Sequence, residues 1–155
     1  MITVEKRLQE AGISLPEAPK PIAAYVPVVK VGNLVFVSGQ IPLREGALIA
    51  TGPVPSAVSP AQATEAARQC AINALAVLST TVDGDLDRVR RVVRVGVFVA
   101  SDPGFHGQPQ VADGASELLL EVFGDAGHHA RAAVGSVALP LGATVEIEMV
   151  AEVEN

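Results

Sequence analysis

The sequence predicts a two-layer α+β domain: a mixed sheet with two long helices packed on one face. Three observations predict it. Apolar residues recur at helical spacing in two long segments, around residues 60–79 and 110–123, and alternate at strand spacing in five shorter ones. The segments follow one another as helix, hairpin, helix, strand, helix, hairpin, with no internal repeat and no break in composition. Two long helices beside a sheet of that make-up give one two-layer unit, so residues 1–155 are read as a single domain.

Each element has its own reason. Thr3 to Ala11 carries Val4, Leu8 and Ala11 on one helical face, and Gly12 suits its end. Leu15-Pro16-Glu17-Ala18-Pro19-Lys20-Pro21 is extended, because proline disfavours helix at its own position and at the one before. Residues 1–20 thus form a helix and an arm lying across the domain. Tyr25–Val31 and Leu34–Ser38 read as a hairpin around Gly32-Asn33, ended by Gly39-Gln40-Ile41-Pro42. Arg44–Val58 is a loop with a short edge strand at Ala47–Ala50. Ser59-Pro60-Ala61-Gln62 starts a helix with a capping box and a proline in the first turn. That helix runs to Ser79 with Ala63, Ala66, Ala67, Cys70, Ala74, Leu75 and Leu78 on one face, a narrow stripe suited to close packing on a sheet.

Asp83-Gly84-Asp85 turns the chain into a strand, Val89–Ala100, with Val93, Val95, Val97 and Val99 on one face and Arg90, Arg94 and Phe98 on the other. Ser101–Pro109 is a loop, and Gln110–Phe123 a helix with Val111, Ala115, Leu118, Leu119 and Val122 inward. A polar connection, Gly124–His129, leads to two apolar strands read as a hairpin around Leu139-Pro140-Leu141-Gly142. Val145, Ile147, Met149, Ala151 and Val153 take one face of the last strand. Glu146, Glu148, Val150, Glu152 and Glu154 take the other, a mixture that suits a subunit interface, so a homo-oligomer is expected.

Composition narrows the function. At 49% hydrophobic and 18% charged, the chain is built to fold. A net charge of −6 and only 3% aromatic residues argue against nucleic-acid binding, which needs phosphate neutralisation and base stacking. The single cysteine, Cys70, allows no internal disulfide and fits a reducing compartment. The start of the chain has no signal-peptide apolar region, and no run of about 18 apolar residues is free of charge. A cytoplasmic protein with no membrane association is expected.

Two charges stand out because they sit in strands otherwise suited to burial, where a charge is costly unless paired or bound. Arg131 can fork two hydrogen bonds onto a ligand carboxylate; otherwise it serves a structural ion pair with Glu146 or another carboxylate. Glu146 is a general base or water-positioning group, or else part of a solvated strand face. His106, His128 and His129 match no metal-ligand spacing, so no metal is assigned. Arg88, Arg90, Arg91 and Arg94 split across two strand faces, so they read as a solvated strand end or as intersubunit ion pairs rather than an RNA site. Ser38 lies outside any Gly-x-Ser-x-Gly elbow, and Gly32, Gly39 and Gly46 form no phosphate-binding fingerprint.

Several ordered motifs together resemble the YjgF/RidA family over about Pro21 to Val153. They are Val37-Ser38-Gly39-Gln40-Ile41-Pro42, the helix with Ala67-Arg68-Gln69 and Asn73, and the strand Val89–Val99 with its Val-Phe-Val ending. Ala130-Arg131, Leu139-Pro140 and Val145-Glu146-Ile147-Glu148 complete them. The resemblance implies a chorismate-mutase-like α+β fold and a homotrimer whose sheets pack into a central barrel, with ligand clefts between subunits. It implies hydrolysis of reactive enamines and 2-imino acids to 2-oxo acids and ammonia, without a cofactor. On the family pattern Arg131 clamps the substrate carboxylate, Glu146 orients or activates water, Tyr25 closes the cleft, and Ser38 and Gly39 line it. Ala133 stands where imine deaminases often carry cysteine, and its backbone carbonyl could serve there. The family's asparagine has no counterpart in Ser101–Pro109, and Met1–Lys20 resembles the extension of a longer subgroup. A non-catalytic trimer that binds small carboxylates is the alternative function. The endoribonuclease activity attached to some members is disfavoured by the charge.

Overall fold

The computed structural model describes residues 1–20 and 23–155. Thr3 caps a short helix, α1 (Val4–Glu10), which buries Val4 and Leu8 and is tied down by the Val4 amide donating to Asp87 Oδ1 at 2.9 Å. The arm that follows has no regular structure, as its prolines require; Pro21, the last residue of the expected arm, lies outside the described residues.

A five-stranded sheet holds β1 (Val28–Val31), β2 (Leu34–Gln40), β5 (Val89–Ala100), β6 (Ala130–Ser136) and β7 (Val145–Val153), in the order β1-β2-β7-β5-β6. A separate ribbon pairs β3 (Leu43–Arg44) with β4 (Ala47–Leu48), the short strand expected in this loop. Helices α2 (Pro60–Ser79) and α3 (Gln108–Phe123) cover one face of the sheet, α2 over β2 and β7, α3 beside β5 and β6. The predicted capping box is present: Ser59 Oγ accepts from the Gln62 amide, and Gln62 Oε1 accepts from the Ser59 amide at 3.0 Å. The stripe from Ala63 to Leu78 is buried as predicted, with Cys70 Sγ 3.6 Å from the Val145 carbonyl. Small residues let the two helices approach until Gly114 of α3 rests on the Thr64 backbone.

The terminal hairpin does not form. β6 pairs in parallel with β5, and β7 lies on the other side of β5, antiparallel to it. α3 supplies the crossover that a parallel pair requires, and the turn at Pro140–Gly142 leads the chain past β5 rather than back along β6.

Smaller corrections have local causes. β1 begins at Val28 rather than Tyr25, just after Pro27, which has no amide hydrogen to pair. β2 runs on to Gln40 through a register shift between Val37 and Gln40. α3 begins at Gln108, with Pro109 in the first turn, where its missing donor costs nothing. Bulges between Val89 and Arg91 and between Val92 and Arg94 reset β5, so Val92 is buried and Val93 only half-buried. β7 alternates as predicted: Val145, Ile147, Met149, Ala151 and Val153 are buried, and Glu146, Glu148, Val150 and Glu152 half-buried on the opposite face. That face also exposes Leu34, Phe36, Val29, Val31 and Val134, beside an Arg94–Glu148 ion pair of 3.0 Å. Among the described residues no helix is long and apolar enough to cross a membrane.

Candidate functional site

The register shift in β2 places Gly39 against Glu146 on the neighbouring strand. A Cβ at residue 39 would overlap Glu146 Oε1 and stand 2.9 Å from its Cδ. Glycine is therefore what leaves space for the carboxylate. Ser38 and Gly39 lie with Tyr25, Gln40 and Glu146 along a cavity of about 620 Å³. Its far end is formed by Asn73 and Ala76 of α2 and by Pro140 and Leu141 of the turn before β7. Leu141 adopts φ 58°, a left-handed conformation that is strained for leucine.

Polar groups hold this region in shape. The Ser38 hydroxyl donates to the Val26 carbonyl at 2.7 Å, which fixes the approach of the Tyr25 segment. Asn73 donates to the carbonyls of Ile41 and Leu43, both at 3.0 Å, and accepts from Gln69 Nε2 at the same distance. Arg44 Nε in turn donates to Gln69 Oε1. The chain leaving β2 is thus laced to α2. Gln69 and Asn73 belong to the helix motif that carries the family resemblance. Their signal was two amides four residues apart on an otherwise apolar helical stripe, since a buried amide must find partners.

Glu146 is the carboxylate that β7 brings to the cavity. Burial, and then the nearby Glu148 carboxylate, push its proton affinity above the ordinary carboxylate range. A carboxylate so placed is a better base than an exposed glutamate.

Arg131 and Ala133 are not in this cavity. They pair with Val95 and Val97, whose side chains are buried under the helices, whereas Glu146 pairs with Phe98 on the other face. Arg131 and Glu146 therefore lie on opposite faces of the sheet, on strands separated by β5, and the ion pair between them does not form. Arg131 Nη1 instead donates to Asp113 Oδ1 at 2.8 Å and to Ser116 Oγ at 3.1 Å. The chain of bonds continues: the Ser116 hydroxyl meets His129 Nε2 at 2.9 Å, and His129 Nδ1 meets the Gly127 carbonyl at 2.6 Å. A carbonyl can only accept, so Nδ1 carries the proton and Nε2 takes the serine hydrogen. Burial lowers the His129 pKa, with Arg131 and His128 adding in the same direction. A smaller hollow of about 180 Å³ opens here, between Ser116, Leu120, His128, His129 and Arg131. Among the described residues no three His, Cys, Asp or Glu side chains gather as metal ligands.

Residues 5–153 match the family described as "YjgF/chorismate mutase-like, putative endoribonuclease". Among curated relatives, Protein TCP17 of Trypanosoma cruzi is 43% identical over 98% of this chain and 95% of its own. A 2-iminobutanoate/2-iminopropanoate deaminase of Dermatophagoides farinae is 33% identical over 92% of this chain and 95% of its own. Among solved structures, Atu1372 of Agrobacterium tumefaciens, described as of unknown function, superposes with a TM-score of 0.92. It is 44% identical over 99% of this chain and 93% of its own.

Proposed function

From the premise that this chain belongs to the YjgF/chorismate mutase-like family, we propose that it hydrolyses small reactive 2-imino acids to 2-oxo acids and ammonia. The observation that carries the proposal is the Glu146 carboxylate, held against Gly39 in a cavity with Ser38 and Tyr25 and with its proton affinity raised. An imine carbon is already electrophilic. Positioning it beside a base and a water supplies most of the needed rate. Glu146 takes a proton from water as the oxygen adds to the imine carbon and the C–N π pair moves to nitrogen. Glu146 returns that proton to nitrogen, giving a carbinolamine, then takes the hydroxyl proton as the oxygen becomes a carbonyl and passes it to nitrogen as the C–N bond breaks with its electron pair going to nitrogen. The products are a 2-oxo acid and ammonia.

The substrate carboxylate needs a cation, and Arg131 of the same copy faces the other way. We place the complete site between copies, with one chain giving Glu146, Tyr25, Ser38 and Gly39 and the next giving Arg131 and the Ala133 carbonyl. The half-apolar open sheet face, with Phe36, Leu34 and Val134 exposed, supports a homotrimer. The unpaired Cys70 suits a cytoplasmic setting.

The test is ammonia release from 2-iminobutanoate generated in situ by an amino-acid oxidase, with light scattering to read the assembly state. Wild type should release ammonia as a trimer, and Glu146→Ala and Arg131→Ala should each lower the rate at least about 100-fold. One observation favours a second reading, a non-catalytic sensor of small carboxylates: Ala133 stands where imine deaminases often carry cysteine, while Arg131 is kept. Equal inertness of wild type and Glu146→Ala, with Arg131-dependent binding of a 2-oxo acid, would establish the sensor. Endoribonuclease action is the weakest reading at a net charge of −6.

A further inference from the structure

One wall of the cavity comes from a part of the chain that the proposed chemistry does not use. Pro16, Glu17, Pro19 and Lys20 of the N-terminal arm line it, together with Tyr25, Ser38, Gly39 and Glu146. The arm is anchored rather than draped. Val4 and Leu8 of α1 are buried in the core, the Ile13 amide donates to the Leu8 carbonyl at 2.8 Å, and Ile13, Leu15 and Ala18 pack against the same core. With Leu15 and Ala18 turned inward, their neighbours Pro16, Glu17 and Pro19 are presented to the cavity. Two prolines restrict the backbone there, so the wall is preformed at little entropic cost.

We infer that this arm sets substrate choice, and that the cavity takes 2-imino acids with bulky apolar side chains, such as those derived from leucine, methionine or phenylalanine. The inference rests on the deaminase reading for the reaction, and on the cavity itself for the substrate. Size is the first argument. At about 30 Å³ per non-hydrogen atom, the share of a water molecule in the liquid, a four-carbon imino acid with about seven such atoms fills about a third of the 620 Å³ that one copy leaves open before the next copy is seated. Chemistry is the second. Pro16, Pro19, Ile41, Leu43 and Leu141 make the lining mainly apolar, which is what an apolar side chain would fill. Glu17 and Lys20 enter as opposite charges and give the wall no net charge to hold a second carboxylate.

The test compares ammonia release from imines generated in situ from 2-aminobutyrate and from leucine, methionine and phenylalanine. The proteins are wild type and full-length Pro16→Gly/Pro19→Gly, which keeps α1 and its anchors. Wild type should favour the bulky imines by about tenfold or more in kcat/KM, the discrimination a few buried methylenes supply. The variant should lose that preference through a KM that rises more for the bulky imines than for 2-iminobutanoate. A wild-type preference for 2-iminobutanoate, or a variant that keeps the bulky preference, overturns the inference. If wild type turns over no imine, the deaminase reading fails, and calorimetric binding of 4-methyl-2-oxopentanoate against 2-oxobutanoate decides the inference alone. Tighter binding of the larger oxo acid that Pro16→Gly/Pro19→Gly abolishes upholds it. Equal binding, or a preference that the variant retains, overturns it.

Discussion

Gly39 and Glu146 share a space that holds only one side chain: a Cβ at residue 39 would stand 2.9 Å from the Glu146 Cδ and overlap its Oε1. The atoms displaced by Gly39→Ala belong to the free end of a flexible side chain. Stability should therefore change by no more than about 1 kcal/mol, while the carboxylate moves by a large part of an ångström. A base displaced by that much can lose about 100-fold in rate. Gly39→Ala should thus lower kcat about 100-fold with the thermal midpoint within a few degrees of wild type; unchanged kcat would remove Glu146 from the chemistry.

Glu146→Gln should separate stability from activity. A carboxyl whose folded pKa is raised contributes stability below its unfolded value, about 4.3, and loses it as pH rises through the folded value. At neutral pH, ionised Glu146 therefore works against folding. Glu146→Gln should melt higher than wild type at pH 7, with the difference closing near pH 4, and should release no ammonia. The wild-type rate should fall on the acid side at a higher pH than an ordinary glutamate would give. Thermal melts across that span, beside a pH–rate profile, read both.

His129 should act in the opposite sense. Its folded pKa is lowered, so between that value and the unfolded one, about 6.5, the unfolded chain binds more protons. Its contribution is whole above about pH 6.5 and is lost as pH falls below it. Nuclear magnetic resonance should find the imidazole titrating below its ordinary value. His129→Gln, which keeps an acceptor for Ser116, should shrink the drop in melting temperature between pH 7.5 and pH 5.5. A drop as large as that of wild type would assign the acid sensitivity elsewhere.

Gly114→Ala should weaken the fold although alanine is the better helix former. The new methyl would collide with the Thr64 carbonyl and lie 2.9 Å from Thr64 Cγ2. Helix propensity returns about 1 kcal/mol, but backbone cannot step aside as a flexible side chain can, and overpacking costs about 1–3 kcal/mol. We expect a net loss of up to about 2 kcal/mol, a fall of up to several degrees in the melting temperature. A rise would mean that α2 and α3 can separate without penalty.

Local chemistry made much of this protein legible in its sequence. The Ser59–Gln62 capping box, the small-residue stripe of α2 and the alternation of β7 each specify a conformation or a face by themselves. Periodicity states which side of a strand is buried but not which strand lies next to it. Nothing in the spacing of residues 130–150 reveals that β5 intervenes between β6 and β7, because the apolar faces look the same in a hairpin and in a crossover. That placement puts Arg131 on the helix side of the sheet, beside Asp113 and Ser116 of α3, and leaves Glu146 on the other face. It was decided by the α3 crossover and the packing of the two helices on one side. The folding of the arm against Glu146 was likewise a tertiary outcome: its prolines dictate extension, but only the burial of Val4, Leu8, Leu15 and Ala18 dictates where the extended chain lies.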